Sequence, residues 1–206
     1  MNRIGLFGGT FNPLHLGHIK VAKTVLHNLN LDKILFLPSG NPVLKSVNDL
    51  LDFAKRCEII EKILIDFPKF EISRLDRSEG KKSYTSILLR KLLKNSNKKY
   101  YFIIGEDNVT QLPLWNEFEW LIENVKFVVV SRSIENSAEQ KNLNYYEKLK
   151  FVQMQPIDIS SSQIRKYIKQ KKSIKNLVPQ KVEELIKKNY QTIFSKSIDY
   201  TKLLSE

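Results

Sequence analysis

The chain has 206 residues, of which 42% are hydrophobic, so it is long enough to bury an ordinary core and is expected to form one domain. Its net charge of +12 is compatible with a nucleic-acid partner and equally with a basic surface that attracts anionic nucleotides. The single cysteine excludes an intrachain disulfide and a multi-cysteine zinc site, and no apolar run is long enough to cross a bilayer.

The N-terminal segment is predicted to form a strand, a glycine loop and a helix. Apolar residues from Ile4 lead into Gly8 and Gly9, and a helical pattern of apolar residues begins near Leu16. A glycine pair after a strand can be a simple tight turn. Glycines also let the backbone approach a ligand, and the N-terminus of the following helix attracts anions. The segment therefore predicts a phosphate-binding loop.

Two histidines follow the glycine pair. His15 and His18 are three residues apart, so on the first turn of a helix their rings would share one face beside a phosphate-sized space. A single histidine is more often an ordinary polar side chain. The prediction of a binding site therefore depends on the pair and the glycines together.

The rest of the chain alternates between predicted strands and helices. Further strands are predicted over residues 33–37, 70–72, 100–104, 126–130 and 151–154. Helices are predicted over residues 51–67, after residue 85, through residues 120–121, after residue 160 and up to about residue 188. Six alternating strands predict an α/β fold, a doubly wound parallel sheet of Rossmann-like topology that binds ligands at the carboxyl ends of its strands.

Polar and aromatic residues after these strands are further candidates, each with a simpler alternative. Lys45, in the loop after the second strand, could be a surface lysine. Asp107 follows the fourth strand and Gly105, where it could accept hydrogen bonds from a ribose or cap a helix. Trp115 could stack on a ligand or belong to the core.

A second motif lies at residues 159–165, Ile-Ser-Ser-Ser-Gln-Ile-Arg. Ser160 and Gln163 have the spacing of a capping box. A helix N-terminus with three hydroxyl residues and Arg165 one turn in also makes an anion site. Capping and phosphate binding are both compatible with this motif.

In order, these motifs resemble those of the nicotinate-nucleotide adenylyltransferases, members of the H-x-G-H nucleotidyltransferase superfamily. Residues 8–18, G-G-T-F-N-P-L-H-L-G-H, are similar to G-G-T/S-F-D-P-x-H-x-G-H, and residues 159–165 are similar to I-S-S-T-x-I-R. Matching features are S-Y-T at 83–85, G-E-D at 105–107, L-P-L-W at 112–115 and L-V-P at 177–179. The resemblance implies a nucleotidyltransferase domain over residues 1–190 and leaves 191–206 as an extension of unknown role.

The sequence departs from the family pattern at four positions. Asn12 replaces the usual aspartate, and Leu44 replaces a histidine before Lys45, so any substrate contact of that histidine is absent. Ile87 stands where an aspartate is common. Ser162 replaces threonine and preserves the hydroxyl.

The resemblance implies adenylyl transfer from ATP to nicotinate mononucleotide, giving deamido-NAD and pyrophosphate in NAD biosynthesis. It implies catalytic roles for His15, His18 and Arg165, with Mg²⁺ carried by the ATP phosphates and no metal ligands from the protein. The implied ATP-binding residues are Gly8, Gly9, Thr10, Phe11, His15, His18, Gly105, Asp107, Ile159, Ser160, Ser161 and Arg165. The implied acceptor-binding residues are Lys45, Thr85, Trp115 and Asn116.

Two other functions remain open at this point. A sister adenylyltransferase acting on nicotinamide mononucleotide or pantetheine phosphate would keep both phosphate motifs but not the S-Y-T and L-x-x-W features. A nucleic-acid-binding domain would use the basic charge and ignore the histidines. The adenylyltransferase interpretation expects neither a nucleic-acid nor a membrane partner, and the lack of a signal-peptide pattern favours the cytoplasm.

Overall fold

The computed structural model describes residues 2–41, 49–76, 84–94, 97–131 and 142–203, with side chains through residue 195. Lys45 and Ser83 lie outside these residues. In the described part the chain forms a single parallel sheet with helices packed on both faces.

The described sheet has six strands, as the sequence predicts. They are β1 (Arg3–Gly9), β2 (Lys33–Pro38), β3 (Phe70–Ile72), β4 (Lys99–Gly105), β5 (Lys126–Ser131) and β6 (Lys150–Gln153). Their order is β3-β2-β1-β4-β5-β6, and every neighbouring pair is parallel. The chain moves outward from β1 in one direction and then in the other, so the order reverses between β1 and β4. The carboxyl ends of these two strands form the crevice where such sheets bind ligands.

Six α-helices and several short 3₁₀ helices lie between and after the strands in the described ranges. The α-helices are α1 (Leu16–Asn28), α2 (Phe53–Leu64), α3 (Thr85–Leu93), α4 (Phe118–Asn124), α5 (Ser161–Lys169) and α6 (Glu183–Leu203). The 3₁₀ helices are Glu106–Asn108, Leu112–Leu114, Tyr146–Lys148 and Gln180–Val182. No helix among the described residues combines the length and the apolar character needed to span a membrane.

Two helices end at different residues than the sequence predicts. α2 is shorter than the predicted 51–67, because the Asp52 side chain caps it by accepting from the Lys55 N–H at 2.8 Å, and a turn follows Leu64 before Pro68. α6 continues past residue 188, because its sequence contains no glycine or proline to stop it. It crosses residue 190 without a break, and Phe194 is buried in the core.

The sheet separates two hydrophobic clusters. Neighbouring residues of β1 point to opposite faces, so Leu6 belongs to one cluster and Phe7 to the other. α1, α2, α5 and α6 cover the face with Phe7, and α3 and α4 cover the face with Leu6. Because hydrophobic clusters cover both faces of the sheet, a polar site is expected at the ends of the strands.

Candidate active site

A cavity of about 1140 Å³ opens at the carboxyl ends of β1 and β4. Typical small-molecule sites have volumes of roughly 300–1,000 Å³, so this cavity has room for two nucleotides. It is lined by every described residue that the sequence nominates: Gly8, Gly9, Thr10, Phe11, His15, His18, Thr85, Gly105, Asp107, Trp115, Asn116, Ile159, Ser160, Ser161 and Arg165. The fold thus brings these residues together, while their roles in binding stay predictions.

The loop after β1 has a constrained shape. Phe11 adopts a left-handed backbone conformation with a φ of 47°, which costs a non-glycine residue roughly 1 kcal/mol or more. Its ring is buried and meets the His18 ring edge-on, with centroids 5.1 Å apart. A Cβ on Gly17 would lie 2.9 Å from Nδ1 of His15, so this glycine, which the motif reasoning left unassigned, makes room for the imidazole.

The two histidines face each other at the start of α1. His15 occupies the N-cap rather than the first turn, and the ring centroids of His15 and His18 are 3.7 Å apart. The backbone N–H of His15 donates to Nδ1 of His18 at 3.3 Å. The proton of a neutral His18 ring therefore lies on Nε2, which makes this atom a hydrogen-bond donor.

His15 is neutral at neutral pH in the free protein. Its side chain is buried, and this burial lowers the pKa of His15 from 6.5 to about 4. Its Nδ1 has no hydrogen-bond partner among the described residues. A bound phosphate would add the missing charge partner and raise this pKa again.

Stability of the ligand-free protein is expected to fall as the pH drops from about 6.5 towards 4. In this window the unfolded chain protonates His15, whose ordinary pKa is 6.5, while the folded protein with a pKa of about 4 does not. Acid therefore lowers the free energy of unfolding by roughly 1–3 kcal/mol. Above the unfolded-state pKa of 6.5 this loss is absent, because His15 is neutral in both states. Urea unfolding of wild type and His15→Gln across this range measures the effect. Equal pH slopes for the two proteins would contradict it.

The two phosphate motifs meet although about 150 residues separate them. The Ser161 hydroxyl donates to the Pro13 carbonyl at 3.0 Å, across 148 residues. Gln163 N–H donates to Ser160 Oγ at 3.1 Å, so the predicted capping box is present. Because the Ser161 proton is already donated, a phosphate at this end of α5 would meet the unpaired N–H groups of the first turn.

Arg165 projects from α5 to the same place. Its Nη1 donates to the Asn12 carbonyl at 2.9 Å, and its Nη2 donates to Ser162 Oγ at 3.3 Å. Its Nε is buried and lacks a partner within the described residues. The guanidinium is thus held in place by the first motif while part of its donor edge is unused.

The opposite end of the cavity is aromatic. Trp115 is half-buried and packs edge-on against Phe102 and Phe127, at centroid distances of 6.1 Å and 6.3 Å, while also lining the cavity. Beside it, Asn116 Oδ1 accepts from the buried Ser86 hydroxyl at 2.8 Å, which directs the amide NH₂ away from Ser86. Trp115 therefore combines the two roles that the sequence left open for it, core packing and exposure to a ligand.

The carboxylate after β4 is exposed to the cavity. Asp107 lies inside the 3₁₀ helix whose N-cap is Gly105, so it is not a helix cap. A Cβ on Gly105 would lie 2.4 Å from Oδ1 of Asp107, so the glycine makes room for the carboxylate.

Unpartnered polar atoms concentrate on the cavity wall. Five buried side-chain polar atoms in the described ranges lack a hydrogen-bond partner, and four belong to lining residues: His15 Nδ1, Ser39 Oγ, Trp115 Nε1 and Arg165 Nε. Buried polar atoms are nearly always hydrogen-bonded, so these atoms are available to bond water or a polar ligand in the cavity. Within the same ranges no three side chains of histidine, cysteine, aspartate or glutamate are grouped so that they could hold a metal ion.

Residues outside the motifs support the loop after β1. The Asn12 amide donates to the Asp49 carbonyl at 2.8 Å, and its Oδ1 accepts from the Leu51 N–H at 3.1 Å and from the Tyr190 hydroxyl at 2.5 Å. Arg56, fully buried on α2, contacts the same loop. The sequence does contain a signal for Arg56, since it lies four residues before Ile60 on the apolar face of a helix, where a charge needs a buried partner.

The chain resembles known proteins along most of its length. The family model described as cytidylyltransferase-like matches residues 6–167. The chain is 36% identical over 191 residues to the "Probable nicotinate-nucleotide adenylyltransferase" of Caldicellulosiruptor bescii, covering 90% of this chain and 96% of that protein. It is 36% identical over 199 residues to a protein with the same name from Clostridium novyi, covering 91% and 98%.

Solved structures share the fold. The "Plasmodium falciparum nicotinic acid mononucleotide adenylyltransferase complexed with NaAD" aligns with a TM-score of 0.74 at 23% identity, covering 93% of this chain and 98% of that chain. The same Plasmodium falciparum enzyme "complexed with APC" aligns with a TM-score of 0.69. Together with the sequence relatives and the family model, the motifs and the fold place this chain in the cytidylyltransferase-like family, and within it the chain belongs to the nicotinate-nucleotide adenylyltransferases.

Proposed function

We propose that the protein transfers the adenylyl group of ATP to nicotinate mononucleotide, giving deamido-NAD and pyrophosphate. The observation that carries this proposal is the arrangement of the cavity. One end has the histidine pair, the α5 N-terminus and Arg165 for phosphates, and the other has Trp115 for a flat ring. A cavity of about 1140 Å³ can hold both reactants side by side.

The chemistry needs positioning and charge neutralisation more than a protein nucleophile. A 5′-phosphate oxygen of the mononucleotide attacks the α-phosphorus of ATP, a new P–O bond forms, and the bond from the α-phosphorus to the bridging oxygen breaks. Pyrophosphate leaves with the electron pair. Nε2–H of His18 donates to the α-phosphoryl oxygens, where negative charge develops, and Arg165 with the α5 N–H groups holds the pyrophosphate portion.

Magnesium is proposed to arrive with ATP. Mg²⁺ keeps several waters and takes phosphate oxygens together with one or two carboxylates at most. The cavity lining offers scattered acids, Asp76, Glu106 and Asp107, which suits Mg·ATP as the substrate better than a resident ion. We also propose a cytoplasmic setting, because ATP and the mononucleotide are cytoplasmic metabolites.

The acid form of the acceptor is proposed to be preferred over the amide. Trp115 can stack on either pyridine ring, so discrimination must come from the exocyclic group. Because Asn116 Oδ1 accepts from Ser86, its NH₂ is the group left to face a ligand. Either oxygen of a carboxylate can accept from the Asn116 NH₂. A carboxamide whose own NH₂ faces Asn116 instead places two donors against each other.

The expected preference for nicotinate mononucleotide over nicotinamide mononucleotide is at least about tenfold in kcat/KM, because an unpaired buried polar group costs about 1–3 kcal/mol and charge assistance to the carboxylate widens the gap. The assay is pyrophosphate release with saturating ATP and a panel containing both mononucleotides and phosphopantetheine. Asn116→Asp replaces the donor by an acceptor of the same size and keeps the Ser86 bond. It is expected to reduce or invert the preference.

The panel separates the competing functions. Equal use of the two mononucleotides would refute this description of the acceptor end while leaving adenylyl transfer intact. Turnover with phosphopantetheine alone would assign the protein to a sister activity. Salt-sensitive DNA binding without any pyrophosphate release would favour the nucleic-acid alternative.

A further inference from the structure

Arg56 carries a buried charge on the inner side of α2. The residue is 1% exposed, and burial lowers the pKa of its guanidinium. Within the described part of the chain Arg56 forms no salt bridge, and Asp52 and Asp76 act on it only through space. A buried cation without a contacting carboxylate is unfavourable unless its donors are satisfied in another way.

Three of the five N–H donors of Arg56, one on each nitrogen, bond to backbone carbonyls. Nε donates to Leu51 O at 2.9 Å, Nη1 to Thr10 O at 2.7 Å and Nη2 to Gly40 O at 3.1 Å. The three acceptors belong to three different segments: the loop after β1, the loop after β2 and the approach to α2. The planar guanidinium has donors fixed in several directions, whereas a lysine ammonium is a single compact group that cannot reach all three carbonyls.

These segments form the wall of the cavity, although Arg56 itself does not line it. Thr10 lines the cavity, as do Ser39 and Leu50, the neighbours of the other two acceptors. The Leu51 N–H is held in turn by the Asn12 side chain at 3.1 Å. Arg56 therefore lies behind the cavity wall and has no contact with a substrate. It sets the distances between the three segments that form this wall.

We propose that Arg56 is a positioning residue that holds the loop after β1 against the Gly40 and Leu51 segments and so preorganises this loop for the ATP phosphates. The proposal rests on the adenylyl-transfer function proposed above. Without the three bonds, the carbonyls of Thr10, Gly40 and Leu51 are no longer held together, and the ATP phosphates bind in a less well-defined geometry. A misplacement of about 1 Å near the reacting atoms can lower a rate by about 100-fold, so kcat should respond to a residue that never touches substrate.

The test is Arg56→Lys, assayed for deamido-NAD formation at a temperature well below unfolding. It keeps the charge and most of the volume but breaks the three-way contact, so kcat is expected to fall by at least about tenfold, more than KM for ATP changes. Arg74→Lys is the matched control. It makes the same substitution at a solvent-exposed arginine that pairs with Glu61, and it should keep wild-type kcat and KM.

Chemical rescue provides a second readout, which tests whether the forked guanidinium is needed rather than a positive charge alone. Arg56→Ala leaves a space of the shape of a guanidinium, so ethylguanidine is expected to restore part of kcat, whereas ethylammonium is not. A folded Arg56→Lys variant with wild-type kcat and KM, even with lowered thermal stability, would overturn the proposal, as would rescue by the two additives alike. If wild type and Arg74→Lys also form no deamido-NAD, the proposed function fails instead.

Discussion

Replacement of His18 by alanine is expected to lower kcat by about 100-fold or more while the fold survives. The His18 ring is only half-buried, and its Nδ1 accepts from the His15 N–H, so the substitution removes the Nε2 donor at the cavity together with the ring contacts to His15 and Phe11. Loss of one preorganised donor to a charge that develops in the transition state costs about 2.7–4 kcal/mol, which corresponds to this factor. Steady-state pyrophosphate release measures it, with circular dichroism to establish folding.

Two variants define the origin of the His18 effect. His18→Gln places an amide NH₂ near the position of Nε2 and should recover part of the loss. His27→Ala removes the exposed histidine at the other end of α1 and should leave kcat unchanged. Near-normal turnover by a folded His18→Ala protein would exclude the assigned role.

Replacement of Arg165 by alanine is expected to lower kcat/KM for ATP by about 100-fold, and replacement by lysine by about tenfold. The guanidinium is held beside the first motif by the Asn12 carbonyl, and its buried Nε has no partner among the described residues. ATP phosphates can supply the missing acceptor. Lysine keeps the charge but cannot contact Asn12 and two phosphate oxygens at once. ATP titration of the initial rate and calorimetric ATP binding measure the two variants.

Lys166→Ala is the charge-matched control for Arg165. Lys166 is the next residue of α5 and is exposed, so this variant makes the same change in net charge outside the cavity. It should bind ATP nearly as well as wild type, because exposed charges are screened by salt. If Arg165→Lys used ATP as well as wild type, the forked phosphate contact would be wrong. An equal loss in Lys166→Ala would assign the effect to overall charge.

The strands were predictable because their signal is local. β5, for example, contains the uninterrupted apolar run Phe127–Val130. Every residue of this strand after Lys126 is buried, as expected for a strand covered on both faces. Ends of helices were less predictable. The cap that begins α2 depends on a local bond of Asp52. The continuation of α6 depends both on a sequence without glycine or proline and on the burial of Phe194 in a core built by distant segments.

The motif residues that line the cavity were also predictable, because each motif is contiguous and has a spacing that favours a helix N-terminus. The residues that hold the motifs in place were not. Arg56 and Tyr190 contact the first loop from 46 and 178 residues away, and no local pattern indicates which carbonyl or amide each will find. The partner of a buried polar group is a property of the folded chain, so sequence can suggest that a partner exists without naming it.

The bond between Tyr190 and Asn12 sets a constraint on biosynthesis. The glycine loop leaves the ribosome well before one of its supports, Tyr190, which lies 178 residues later, in α6. A nascent chain can form β1 and α1 early, since domains begin to fold from the N-terminus during synthesis. Its nucleotide loop, however, lacks the Tyr190 hydroxyl until that residue has emerged. Translation that stops shortly before residue 190 would therefore leave chains that have all six described strands but lack one support of the loop after β1.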